Sequence, residues 1–183
     1  MMERSICVFC GSRSGEDPEY WATAEELGKR IAALHWRLVY GAGDIGLMGA
    51  VANACQKAGG KTFGVIPTHL LDLEVGKTDL SQFVVTENMH ERKKVMFMNC
   101  DAIIVLPGGA GSLDEFFEVL TWRQLGLHEK PIIVMNTNGF WSPLLGLIDH
   151  IIGKGFAEAT LRDFVHVAEN VDDAEAALVS ALS

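Results

Sequence analysis

Short apolar runs alternate with longer amphipathic ones along the whole chain, and this alternation constrains the fold more than any other feature. Residues 5–10, 37–40, 61–66, 83–86, 102–106, 131–135 and 164–168 read as strands. Several are apolar throughout, as strands covered on both faces are. Residues 18–35, 47–58, 87–99, 112–125, 141–152 and 172–182 read as helices, with Pro18 opening the first and Gly59-Gly60 stopping the second. Residues 68–80 are the least periodic and read as a loop with a short helix. Strands that alternate with helices predict an α/β fold, a doubly wound parallel sheet with helices on both faces and right-handed crossovers. At 183 residues the chain fits a single domain spanning 1–183.

Charge narrows the function. Fifteen basic and 24 acidic residues leave a net charge of −9, and no basic run is longer than Arg92-Lys93-Lys94. That argues against a nucleic-acid partner. An anionic ligand has to be held by local dipoles and a few cations, because the overall field opposes it. Apolar stretches such as 102–106 are far too short for a membrane span, and the N-terminus has no signal-peptide pattern. A soluble, cytoplasmic protein is expected. The Cys7-x-x-Cys10 pair lies in a strand whose side chains three apart point to opposite faces, so it reads as apolar filling rather than a zinc or redox motif.

In such a sheet, ligands bind at the carboxyl ends of the strands near a topological switch point. Three glycine-rich loops leave strands there: residues 11–15, 41–46 and 107–111. Gly41-x-Gly43-x-x-Gly46 has the letters of a dinucleotide fingerprint, but the following strand, 61–66, lacks the acidic residue that would hold a ribose. A tight turn with close helix–sheet packing explains these glycines as well. Pro107-Gly-Gly-Ala-Gly-Ser-Leu-Asp-Glu115 frees backbone N–H groups at a helix start near Ser112, which suits phosphate. Ser112-x-x-Glu115 also fits a capping box, in which both side chains serve the helix terminus. Met89-His90-Glu91-Arg92-Lys93-Lys94 is the main cationic cluster, either a solvated helix face or an arginine fork for phosphate oxygens. The histidines show no metal-ligand spacing, and no G-x-S-x-G elbow occurs.

These two motifs in this order resemble the paired signature of the LONELY GUY proteins, cytokinin riboside 5′-monophosphate phosphoribohydrolases often labelled "lysine decarboxylase-like". The similarity extends to Val8-Phe-Cys-Gly-Ser12, Gly46-Leu-Met-Gly49 and Leu120-Thr-Trp122. The resemblance implies a Rossmann-like fold without a bound dinucleotide, no cofactor, no metal and a homodimer. It implies hydrolysis of the N-glycosidic bond of a purine nucleoside 5′-monophosphate to free base and ribose 5-phosphate. Arg92 and Glu115 match the family's catalytic arginine and glutamate. Glu74, Arg92, Lys93, Gly109, Ala110, Gly111, Ser112, Leu113, Asp114, Glu115 and Thr121 match substrate-binding positions. The family usually carries Thr where this chain has Ser112, and both supply a hydroxyl. Two other classes remain open from the residues alone: a non-catalytic nucleotide-binding module and a Rossmann oxidoreductase using the 41–46 loop.

Overall fold

The computed structural model describes residues 4–71 and 79–183. Seven strands, β1 (Ser5–Phe9), β2 (Arg37–Tyr40), β3 (Lys61–Pro67), β4 (Gln82–Thr86), β5 (Ala102–Val105), β6 (Ile132–Met135) and β7 (Val165–Ala168), form one sheet. Its order is β4-β3-β2-β1-β5-β6-β7 and every pairing is parallel. The order reverses between β1 and β5. The crevice of a doubly wound sheet lies above that reversal, at the carboxyl ends of these two strands.

Helices α1 (Pro18–Ala33), α2 (Gly46–Lys57) and α8 (Val171–Leu182) cover one face of the sheet. Helices α4 (Met89–Met98), α5 (Ala110–Gln124), α6 (Ser142–Gly153) and the short α7 (Thr160–Asp163) cover the other. A four-residue helix, α3 (Thr68–Leu71), follows β3. Alternation along the central strands feeds both cores. Ile6, Val8 and Cys10 face α1 and α2, whereas Cys7 and Phe9 face the opposite layer. Cys7 and Cys10 are therefore buried on opposite sides of the sheet, so they form no shared site.

Local chemistry explains where the helices begin. Asp17 accepts a hydrogen bond from Glu19 N ahead of Pro18 and α1. In α4, Asn88 accepts from Glu91 N while the Glu91 carboxylate accepts from Glu87 N. Asn170 and Asp173 repeat that reciprocal arrangement at α8. The expected capping box at Ser112 and Glu115 does not form. Helix α5 starts two residues earlier than Ser112, its N-cap is Gly109, and no side chain caps it. The glycines let the backbone enter the helix sooner, which leaves Ser112 buried inside the first turn.

Two short elements go beyond the sequence expectation, a 3-10 turn at Thr137–Gly139 and α7. Among the described residues no helix is long and apolar enough to cross a membrane.

Candidate active site

A cleft of about 490 Å³ opens at the strand-order reversal. Its walls come from the β1–α1 loop (Gly11 to Gly15), the β5–α5 loop with the first turns of α5, and α4 through Met89, Arg92 and Met96. The two loops touch. Gly11 N donates to Pro107 O at 3.0 Å, and a Cβ on Gly11 would fall 3.3 Å from Gly108 Cα. The chain passes this point only because both residues lack side chains.

The α5 terminus is built for an anion. No carboxylate occupies its first turn, so the positive end of its dipole is not neutralised locally, an effect of about 0.3–2 kcal/mol for a nearby anion. Gly109 and Gly111 have open space where a Cβ would stand, while a Cβ on Gly108 would lie 2.0 Å from Ser112 Oγ. Gly108 is thus packed against the buried serine, and Gly109, Ala110 and Gly111 line the cleft. One turn further along, Glu115 lines the same cleft and is half-buried.

Arg92 is buried in the cleft wall, with Nε donating to Val65 O at 3.0 Å and Nη2 to Gly41 O at 2.6 Å. A Cβ on Gly41 would lie 2.3 Å from that Nη2, so this glycine exists to admit the guanidinium. Gly46, at φ +60°, is pressed against the backbone of Ser12 and Arg13. The 41–46 loop is packed by Arg92, Met48 and the β1–α1 loop. Close packing accounts for its glycines.

Charge concentrates on the cleft floor. Burial pushes the Cys10 thiol well above its ordinary range; the Glu115 carboxylate pushes it further, and Arg92 opposes. Cys10 is accordingly a neutral wall residue rather than a nucleophile.

The remaining matched residues lie elsewhere. Lys93 Nζ bonds Asp114 at 3.0 Å and also Glu118. Burial alone would lower this ammonium's pKa, but the bonds to Glu118 and Asp114 raise it above the ordinary value. Leu113, Asp114 and Thr121 line a separate outer groove along α5, with Phe117, Glu118 and Trp122. So Arg92, Gly109, Ala110, Gly111, Ser112 and Glu115 share one cleft, whereas Lys93, Leu113, Asp114 and Thr121 are grouped around the outer face of α5. Glu74 lies outside the described residues.

The sequence marks the 11–15 loop as one of three at the strand ends without giving Ser12, Arg13 and Ser14 individual roles, and it does not signal the aromatic wall of Tyr20 and Phe140, whose rings meet edge-on at 5.3 Å. The available signal was position: Gly11-Ser-Arg-Ser-Gly15 leaves the first strand at its carboxyl end. Among the described residues no group of three or more His, Cys, Asp or Glu side chains is placed to hold a metal.

Comparison with known proteins agrees with the motifs. The family model described as "Possible lysine decarboxylase" matches residues 48–178. The cytokinin riboside 5′-monophosphate phosphoribohydrolase of Rhodococcoides fascians is 43% identical over 178 residues, which is 97% of this chain and 90% of that protein. A probable enzyme of the same name from Oryza sativa subsp. japonica is 42% identical over 170 residues, 93% of this chain and 74% of its own. The molybdenum cofactor binding protein of Rippkaea orientalis superposes with a TM-score of 0.76, covering 100% of this chain and 99% of its own. At 22% identity that likeness speaks for the fold alone. With its paired motifs gathered at one sheet crevice and two fifths of its residues shared with these enzymes across nearly the whole of this chain, the chain belongs to the LONELY GUY family of cytokinin riboside 5′-monophosphate phosphoribohydrolases.

Proposed function

We propose that this protein hydrolyses the N-glycosidic bond of purine nucleoside 5′-monophosphates, and that one domain spanning 1–183 carries the reaction. The observation that supports this most is Glu115 on the wall of the same cleft as the uncapped α5 terminus. Glu115 stands five residues after Ala110, and an α-helix rises 1.5 Å per residue, so its Cα lies roughly 7–8 Å along the axis from the start of the cradle, with the side chain leaning back toward it. A ribose spans that interval between its 5′-phosphate and its anomeric carbon.

In this reading the N–H groups of the first turn and the Ser112 hydroxyl hold the phosphate. The bond from C1′ to the base nitrogen breaks with its electron pair leaving on the base, and positive charge grows on the sugar. The Glu115 carboxylate stabilises that charge and accepts a proton from the water that adds its oxygen to C1′. The base leaves with that electron pair and takes up one proton, while Glu115 gives up the proton it took from water, so that nucleotide plus water yields neutral base and ribose 5-phosphate. Arg92 fixes the cleft wall through Gly41 O and Val65 O and sets the local potential. No cofactor enters this balance.

We place the protein in the cytoplasm as a homodimer, with the outer face of α5 covered by the second copy. Exposed Met98, Leu125 and Leu127 flank the packed Phe97, Trp122 and His128 rings there. Sedimentation near twice 19.9 kDa supports the dimer, and a monomer at micromolar concentration refutes it.

Incubating purified protein with AMP and with isopentenyladenosine monophosphate, then separating the products, tests the activity. Free base and ribose 5-phosphate in equal amounts are expected. Nucleotide bound over long incubation with no base released would instead make this a binding module.

A further inference from the structure

The cleft must attract a phosphate dianion into a chain of net charge −9, and the two basic residues that the family motif supplies are already occupied by protein. Arg92 directs Nε and Nη2 to backbone carbonyls. Lys93 is held between Asp114 and Glu118, away from the cleft. Helix α5 provides oriented N–H groups but only about half a charge. Among the described residues one further cation lines the cleft: Arg13.

The backbone beneath Arg13 is fixed on several sides. Gly11 donates to Pro107 O, and Gly11 O accepts from Met48 N at the start of α2. Ser12 and Arg13 lie against Gly46 so closely that a Cβ there would stand 2.4 Å from Arg13 N. The residue therefore springs from a rigid point beside the 107–111 loop, not from a loose tip. Its side chain is exposed. Among the described residues its guanidinium pairs with no carboxylate, unlike Arg30, which is bound to Asp172 and Glu175. A planar fork with this freedom suits the oxygens of a phosphate monoester. Ser12 and Ser14 flank it on the same wall and add hydroxyl donors.

We infer that Arg13 is a substrate-binding residue that reaches the 5′-phosphate beside the α5 terminus, and that it makes the cleft selective for nucleotides over nucleosides. This inference rests on the hydrolase reading for its substrate but not for its test. Because Arg13 is exposed and outside both cores, Arg13→Gln folds normally.

The experiment measures calorimetric binding of ribose 5-phosphate to wild type, Arg13→Gln and Arg13→Lys, alongside AMP kinetics. A charged hydrogen-bond pair predicts a roughly 10- to 100-fold loss of ribose 5-phosphate affinity in Arg13→Gln, with partial recovery in Arg13→Lys. KM for AMP rises by a similar factor while kcat changes far less. Ribose 5-phosphate affinity equal to wild type in Arg13→Gln overturns the inference, whatever the enzyme's activity. If wild type releases no base but Arg13→Gln still loses ribose 5-phosphate binding, the Arg13 assignment stands and the hydrolase reading falls.

Discussion

A methyl group at residue 108 would lie 2.0 Å from Ser112 Oγ and 2.9 Å from the Gly11 amide nitrogen. Ser112 belongs to the proposed phosphate cradle and the Gly11 amide ties the adjoining loop to Pro107 O, so Gly108→Ala must displace the cradle. The expected result is at least a tenfold loss of AMP affinity by calorimetry; unchanged affinity means the cradle tolerates the shift. Glycine here was legible as a phosphate-loop residue, but its partner was not. Ser112 is the third residue of α5, buried beneath Gly108, although its spacing to Glu115 has the letters of a capping box. Spacing cannot distinguish the two arrangements, because which residue starts the helix depends on the freedom of the glycines before it. Lys93 shows the same limit: sequence places it next to Arg92, yet on a helix adjacent residues diverge by about 100°, and it faces Asp114 and Glu118.

At the level of elements, α1 and α2 pack unusually closely. Gly28 makes this possible, since a Cβ there would lie 2.3 Å from Val51 O and 3.0 Å from Cys55 N. Both contacts are backbone atoms, so Gly28→Ala pushes the helices apart despite the better helix propensity of alanine. Overpacking of this kind costs about 1–3 kcal/mol, a drop in Tm of roughly 2–12 °C for a chain of this size. A Tm at or above wild type means that the helix pair can relax freely. All seven strands and six of the helices were readable from apolar periodicity, with ends displaced by at most two residues. The 3-10 turn at Thr137–Gly139 and the four-residue α7 were not, because neither completes enough turns to display a period. In the former, Asn138 adopts φ 50° and its amide donates to Asp17, joining the β6–α6 connection to the start of α1.

At the level of the whole molecule, sheet order places the chemistry. The 11–15 and 107–111 loops, distant in sequence, meet because β1 and β5 are neighbours at the reversal, and the crevice there collects Arg13, Arg92 and Glu115 around one cavity. Alternation of elements made the parallel sheet legible, whereas strand order, and with it the role of the 11–15 loop, depends on tertiary pairing that no local pattern encodes. In the proposed reading an acidic chain binds its anion through a local concentration of dipoles and cations rather than through its overall field. The central claim is that Glu115 acts on the sugar of a nucleotide held by that cradle. Turnover and AMP affinity of Glu115→Gln measured beside wild type test it most directly. Adenine release should fall by a factor on the order of 10² to 10⁴ while AMP binds within a few-fold of wild type. Adenine released at the wild-type rate would contradict the account.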